Sequence, residues 1–267
     1  MNINTSLSTF KKKHKNNKNQ IIFHKADCKN KKIIDNLINK FLTKKNSFIF
    51  ESVEKRRIRG RYTIVGADPD RIWEFNKNRI HIVENNKRKL INSLPYPFLK
   101  KLIENFNFPL PRNLPPLCSL LVGYFSYDII RYIEKIPDKC LDDLKIPDIR
   151  LMRPKTIMIH DNLLKKIYFI INSFADEKIA DYSKYYFNQI RKIRFLKNLA
   201  FNFSNSEVPK KHKWRRVSHS QLFVYFQRSF CELRFKSLTQ DYLKNISFFY
   251  IFFSFQNHFF KSIFRNI

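Results

Sequence analysis

The sequence predicts an α+β fold, built as a β-rich lobe of antiparallel sheet layers with flanking helices. Three observations lead to this prediction. The 267 residues are 43% hydrophobic, which is enough for a sizeable buried core. Short runs rich in β-branched and aromatic residues dominate the first half of the chain. Two longer segments, residues 31–43 and 175–195, carry apolar residues at helical spacing.

The first hundred residues are predicted to be mainly β-structure. Residues 1–20 are polar and rich in Lys and Asn, a composition typical of a mobile basic arm. The elements predicted after this arm are a helix at 31–43, a hairpin-like pair of strands at 47–52 and 61–65, a turn at 68–70, and strands at 72–75 and 80–83 around a turn at 76–79.

The second part of the predicted lobe alternates loops, strands and helices. Pro95 and Pro97 lead a short helix-like segment, and the prolines between 109 and 116 indicate an extended loop. The elements predicted beyond this loop are an apolar segment at 117–125, a helical pattern at 127–133, strands at 149–152, 156–160 and 166–171, and an amphipathic helix at 175–195.

The chain carries 52 Lys and Arg against 22 Asp and Glu, a formal charge of +30. This charge would suit a polyanion partner. The chain also has 28 Phe and only 3 Gly, a mixture with no common physical role that indicates a coding bias instead. We favour the coding bias, because bulk charge bears on solubility and non-specific binding rather than on fold. Nucleic-acid binding is the alternative of another class and ranks lower, since no zinc-finger, RNA-recognition or helix-turn-helix signature is visible.

Cysteine usage and hydropathy favour a cytoplasmic protein. Cys28, Cys118, Cys140 and Cys231 are widely spaced and form no C-x-x-C motif, so we expect reduced, buried thiols. No signal-peptide pattern is present, and the longest apolar run, at residues 246–255, is about half of the roughly 20 residues that a spanning helix needs. No membrane partner is predicted.

Four short blocks stand out by their order and spacing. They read FIFESV at 48–53, GRYTIVG with a following Asp-Pro-Asp at 60–70, VGYFSYD at 122–128, and PDIRLMRP at 147–154. Any one block is a weak signal, whereas four in order are specific. Together they resemble the N-terminal region of anthranilate synthase component I, over roughly residues 20–200.

In that family the resemblance implies a regulatory lobe that binds tryptophan, followed by a catalytic lobe that converts chorismate and ammonia to anthranilate with Mg²⁺. Position by position, Glu51, Ser52, Arg61 and Thr63 fall on the family's ligand-binding motifs. The implied partners are tryptophan as effector and a glutamine amidotransferase subunit, component II. The related aminodeoxychorismate synthase component I is a close alternative, which the Glu51-Ser52 pair weakly disfavours.

The chemistry of these side chains agrees with an amino-acid ligand. Glu51 would bind the ammonium group, Arg61 or backbone N–H groups the carboxylate, and Ser52 or Thr63 would add hydroxyl hydrogen bonds. Without the resemblance, a Glu-Ser pair followed by basic residues would be interpreted as a solvated turn. His160 and Asp161 resemble a catalytic dyad, but we interpret them as structural because no nucleophile lies nearby.

The sequence changes character near residue 205. No glycine follows position 123, and the only acidic residues of the tail are Glu207, Glu232 and Asp241. We therefore predict a family domain at 21–205 and a divergent tail at 206–267, either frame-disrupted or a separate fold, in place of the catalytic lobe. Enzyme activity stays open for this chain, with no catalytic or metal-binding residue assigned. Mg²⁺ is expected only for the full-length family enzyme.

Overall fold

A computed structural model describes residues 1–51, 61–106, 108, 111, 114–132, 134, 137, 145–201 and 223–224. These residues form two compact units. The first unit contains Met1–Asp68 and the described residues from Lys155 onward, and the second contains the described residues of Pro69–Pro154.

The described elements are four α-helices, one 3-10 helix and nine strands. The helices are α1 (Leu7–Lys15), α2 (Lys31–Leu42), α3 (Pro95–Asn105), α4 (Tyr182–Phe201) and the 3-10 helix Tyr127–Tyr132. The strands are β1 (Gln20–Asp27), β2 (Phe48–Glu51), β3 (Tyr62–Asn76), β4 (Arg79–Glu84), β5 (Lys87–Ile91), β6 (Val122–Phe125), β7 (Ile149–Asp161), β8 (Lys166–Ser173) and β9 (Phe223–Val224). The main strand order is β1-β8-β7-β3-β2-β9, with β4 on β3, β5 on β4 and β6 on β7. The prediction of an α+β fold with antiparallel strands and helices is confirmed.

In the first unit, three helices cover one face of the sheet. Alternate residues of the strands point toward α1, α2 and α4, because side chains in a strand alternate between faces. Phe169 and Ile171 of β8 and Val65 and Ala67 of β3 lie in this apolar cluster. The helices contribute Phe10, Leu37, Phe41, Ile193 and Leu196 to the same cluster.

The first twenty residues, which the sequence predicts to be a mobile arm, instead contain helix α1. Ser6 caps it by accepting a hydrogen bond from the Thr9 amide at 3.3 Å. Phe10 is fully buried and stacks on Tyr185, with 5.8 Å between the ring centroids. The Gln20 side chain also donates to the Phe10 carbonyl at 3.0 Å. The sequence did not indicate that Phe10 is buried, because the lysines of α1 lower the mean hydropathy of the whole segment.

In the second unit, the distal half of β3 forms a hairpin ribbon with β4 and β5. The register pairs Trp73 with Ile82 and Phe75 with Ile80, and the predicted turn at 76–79 is confirmed by a positive φ of 50° at Lys77. The ribbon packs with α3, β6 and the start of β7. Their shared core consists of Trp73, Phe75, Ile80, Leu99, Leu121, Phe125, Ile149 and Leu151.

Several predicted boundaries differ from the structure. The turn predicted at 68–70 is wrong, because β3 continues through it and Asp68 takes up a left-handed φ of 53° within the strand. The two strands predicted at 149–152 and 156–160 are one strand, β7. The last helix begins at Tyr182 rather than at 175 and ends at Phe201. Strands β1 and β5 were not predicted.

Two of the four cysteines lie within the described residues. Cys28 and Cys118 are buried and are not disulfide-bonded, and burial raises the pKa of the Cys28 thiol. Cys140 and Cys231 lie outside the described residues, as does the tail predicted from residue 206 except for β9. Among the described helices, none combines the length and hydropathy needed to cross a membrane.

Gly123 marks a close approach between β6 and β7, where it pairs with Leu151. A Cβ at this position would lie 1.8 Å from the carbonyl oxygen of Arg150. We therefore expect Gly123→Ala to lower the free energy of unfolding by about 3 kcal/mol, measured by urea denaturation. Gly66→Ala is the matched comparison, since its Cβ would meet the Phe48 ring rather than backbone, and it should cost about half as much. An unchanged urea midpoint for Gly123→Ala would contradict the described packing.

Candidate functional site

The predicted ligand residues fall at the adjoining ends of β2 and β3. The two strands are antiparallel, and their register places Glu51 opposite Thr63. On its other side Glu51 pairs with Phe223 of β9. Ser52 and the side chain of Glu51 lie outside the described residues. The sequence prediction that these segments form an antiparallel pair is confirmed, and their ligand contacts stay a prediction.

Aromatic packing holds this strand pair together. Phe48 pairs with Gly66 across the two strands, and its ring lies where a side chain of residue 66 would be. The ring of Phe48 also contacts that of Phe50, with centroids 4.9 Å apart. Both phenylalanines are buried. The glycine therefore creates the space for an aromatic side chain that fixes the register of β2 on β3.

Thr63 is buried and keeps a polar partner. Only 5% of its surface is exposed, and its hydroxyl oxygen accepts a hydrogen bond from the Asn162 side-chain amide at 3.5 Å. The backbone amide of Asn162 donates to the Arg61 carbonyl at 2.7 Å. The residue after β7 is thus bonded to both ends of the Arg61–Thr63 segment.

Arg61 is bound to an internal carboxylate. Its Nε atom lies 3.1 Å from both carboxylate oxygens of Asp161, and its Nη2 atom lies 2.8 Å from Oδ2. The guanidinium also lies 4.9 Å from the centroid of the Tyr62 ring. A forked pair of this kind is among the stronger hydrogen-bonded ion pairs in proteins. A ligand carboxylate would have to take over bonds that Asp161 now accepts.

Asp161 is the centre of this arrangement. It is 1% exposed, and its Oδ1 atom also accepts from the backbone amides of Leu163 and Leu164 at 2.9 and 3.0 Å. Burial alone would raise its pKa, but the hydrogen bonds from Arg61 and the two amides hold that pKa below its ordinary value. The ionised carboxylate therefore ties the end of β3 to the turn between β7 and β8.

His160 does not act with Asp161 as a dyad in this geometry. Its Nε2 atom donates to the carbonyl oxygen of Cys28 at 3.2 Å, and burial lowers its pKa. The ring therefore links β7 to the segment after β1, in the structural role that the sequence interpretation proposed. In the part of the chain that the structure describes, no group of three or more His, Cys, Asp or Glu side chains could hold a metal ion.

The resemblance blocks meet along the pairing of β3 with β7. Asp68 accepts from the Thr156 hydroxyl at 3.0 Å within the first unit. In the second unit Asp70 forms a short bidentate ion pair with Arg153. Thus the Asp-Pro-Asp block and the PDIRLMRP block are partners across two strands.

Sequence reasoning missed these pairings. Arg61 and Asp161 are 100 positions apart, and Asp70 and Arg153 are 83 apart. The sequence signal that could have found them was the presence of Arg61 and Asp70 in the second block and of Arg153 in the fourth block. Asp161 directly follows the strand predicted at 156–160. Buried charges need partners, so such blocks are expected to pair.

Comparison with known proteins agrees with the resemblance in the motifs. No family model matches the chain. The chain is 28% identical over 186 residues to anthranilate synthase component 1 of Cereibacter sphaeroides, covering 68% of this chain and 37% of that protein. It is 31% identical over 144 residues to the component 1 of Acetivibrio thermocellus, covering 54% of this chain and 29% of that protein. The chain is similar to anthranilate synthase component I.

The plant relative agrees with the bacterial ones. The chloroplastic anthranilate synthase alpha subunit 1 of Arabidopsis thaliana is 30% identical over 181 residues, covering 61% of this chain and 29% of that protein. The chain therefore spans about a third of the length of these anthranilate synthase relatives. A solved structure of component I from Streptococcus pneumoniae matches 52% of this chain and 30% of its own chain, at 21% identity and a TM-score of 0.40.

The Arg61–Asp161 pair predicts a specific acid sensitivity. Because the pKa of Asp161 is depressed in the folded chain, the pair stabilises the fold above the unfolded value of 3.8, and this stabilisation is lost as the pH falls through the folded pKa. Asp161→Asn should cost about 2 kcal/mol at neutral pH and flatten the loss of stability below pH 4, followed by urea unfolding at several pH values.

Asp128→Asn is the control for this experiment, since it removes the same charge from an exposed pair with Arg131. This control should change stability by less than about 0.5 kcal/mol. Equal effects of the two variants at neutral pH would contradict the structural role of Asp161.

Proposed function

We propose that this chain is the tryptophan-binding feedback lobe of an anthranilate synthase component I-like protein of tryptophan biosynthesis, and that it is inactive alone as a lyase. The observation that carries the proposal is the similarity over 186 residues to a protein named anthranilate synthase component 1. The three relatives described above all carry an anthranilate synthase name, which supports this branch over aminodeoxychorismate synthase.

The paired ends of β2 and β3 supply the chemistry for an amino-acid effector. The backbone register brings residue 51 opposite residue 63, so both positions belong to one short stretch of sheet. In the proposed site Glu51 binds the ammonium group, and Ser52 and Thr63 add hydroxyl hydrogen bonds. Apolar residues flank this stretch, which suits the indole ring.

In this proposal Arg61 is not the main partner of the ligand carboxylate, although its charge would suit that role. Its Nε and Nη2 atoms donate to Asp161, so the ligand carboxylate receives a bond from Arg61 only by sharing it with Asp161. The same pair keeps Asn162 beside Thr63. Arg61 therefore acts chiefly as a positioning residue for the end of β3.

Tryptophan titration of the purified full chain tests the proposed site. We expect saturable binding by calorimetry. Glu51→Gln should weaken it by at least ten-fold, because it removes a charge-assisted bond to the ammonium group. Thr63→Val should weaken it by about five-fold, because it removes a neutral hydrogen bond at nearly constant volume.

Two variants outside the site are matched controls. Glu104→Gln makes the same charge change on an exposed position of α3, and Thr43→Val removes an exposed hydroxyl. Both should bind tryptophan within two-fold of the unaltered chain. A chain that is folded by circular dichroism but shows no heat at millimolar tryptophan would contradict the proposal. So would equal losses in the site and control variants.

A second measurement addresses the proposed lack of lyase activity. The full chain is mixed with chorismate, ammonium and Mg²⁺, and anthranilate fluorescence is followed. We expect no rate above the protein-free background, because in the family the reaction belongs to the lobe that follows the regulatory one. Steady anthranilate formation that scales with chain concentration would refute this part of the proposal.

The proposal also includes a partner and a location. The relatives are named component 1, which supports a component II amidotransferase as the protein partner. A cytoplasmic location follows from the same biosynthetic assignment. Mg²⁺ belongs to the proposed full-length enzyme, and no role in this chain is assigned to it.

A further inference from the structure

A cleft in the second unit is lined by basic and amide side chains. It has a volume of about 520 Å³. Its lining residues are Asn76, Lys77, Asn78, Arg79, His81 and Arg88. Each of these side chains carries nitrogen donors, and none is a carboxylate. None of them belongs to the proposed tryptophan site.

The strand register brings the cations of this cleft to one face of the ribbon. Arg79 and His81 are two positions apart on β4 and therefore share a face. Arg88 of β5 pairs with Val83, which lies on that same face. Three basic side chains from two strands thus project together beside the turn.

The core on the opposite face fixes this arrangement. Phe75 and Ile80 pair across β3 and β4, and both are completely buried. A slip of one residue would place Arg79 or His81 in that core, which would be energetically prohibitive. The position of the basic side chains is therefore a consequence of a rigid register.

Two carboxylates lie close to these residues, and both already accept hydrogen bonds. Asp148 accepts from the Lys77 backbone amide at 2.7 Å and from the Tyr132 hydroxyl at 2.8 Å. Glu74 lies 3.1 Å from Arg88 through one oxygen and 3.4 Å from Arg150 through the other. No ion pair joins Arg79 to a carboxylate in the part of the chain that the structure describes. The cleft therefore keeps an excess of positive charge that internal pairing does not remove.

The positive charge of the cleft affects the pKa of His81. Its Nδ1 atom is buried and has no hydrogen-bond partner within the described residues. Burial, followed by Arg88, lowers the pKa of His81, with Arg79 acting in the same direction and Glu74 opposing it. An anion in the cleft would offset the two arginines and raise this pKa.

We propose that the cleft binds a phosphate-type anion, namely the phosphomonoester or diphosphate group of a small molecule. Guanidinium forks match phosphate oxygens in geometry and charge. Donors converge here from the turn, from β4 and from β5, an arrangement that suits the three outward oxygens of a phosphate better than the two of a carboxylate. The volume lies in the range of small-molecule sites and leaves room for an organic group beside the anion.

Pyrophosphate is the probe for this site, titrated into the full chain at fixed ionic strength by calorimetry. Arg79→Gln and Arg88→Gln should each weaken binding by about ten-fold, since each removes a charge-assisted hydrogen bond. Lys89→Gln is the matched control. It removes one charge from the same exposed strand, but Lys89 pairs with Ile82 and lies outside the cleft, so its effect should stay within two-fold.

A second readout separates local binding from general attraction to a basic chain. The pKa of His81, followed by NMR through its ring proton, should rise when pyrophosphate is added and should rise less in Arg79→Gln.

Equal weakening by Lys89→Gln would overturn the proposal, as would absence of binding at millimolar pyrophosphate by a chain that is folded by circular dichroism. An affinity for duplex DNA that grows with its length and exceeds that for pyrophosphate would assign the cleft to nucleic acid instead. Loss of tryptophan binding in Glu51→Gln leaves this test unaffected, because the two sites share no residue.

Discussion

The antiparallel pairing of β3 with β7 is the constraint on which the rest of the described structure depends. Each unit contains one stretch of this pair, and each stretch is joined by buried or half-buried ions. In the first unit Arg61 binds Asp161, and in the second Arg153 binds Asp70 while its guanidinium lies 5.9 Å from the Trp73 ring. Charges with so little water contact are tolerated only when both partners are present. The two strands therefore depend on each other for their polar groups as well as for their backbone hydrogen bonds.

Two glycines let the neighbouring strands close on this pair. Gly66 leaves room for the Phe48 ring of β2, and Gly123 lets β6 approach the carbonyl of Arg150 in β7. In a chain with only 3 glycines, two are used where a side chain would collide with a packed neighbour. Both glycines that the structure describes therefore lie where close packing leaves no room for a side chain.

The structure shows that the basic residues differ in their contacts, which the net charge does not reveal. Composition alone favours a coding bias as the origin of the +30 charge, and the structure adds that individual arginines have distinct tasks. Arg61, Arg150 and Arg153 are partners of internal carboxylates. Arg79 and Arg88 border the cleft of the ribbon, where the positive charge is only partly compensated. The net charge of the chain therefore does not indicate what an individual arginine contacts.

Periodicity along the sequence was sufficient for α2, for the β2–β3 pair and for the turn before β4, because each of these elements buries one face of a continuous segment. The motif blocks were sufficient for the resemblance to anthranilate synthase component I. Only the tertiary structure showed that Phe10 anchors α1, that β3 and β7 continue through their prolines, and that Arg61 is bound to Asp161. Apolar spacing reports the burial of a local face, whereas the partner of a polar side chain depends on the register of strands 100 or more positions apart, which local spacing does not encode.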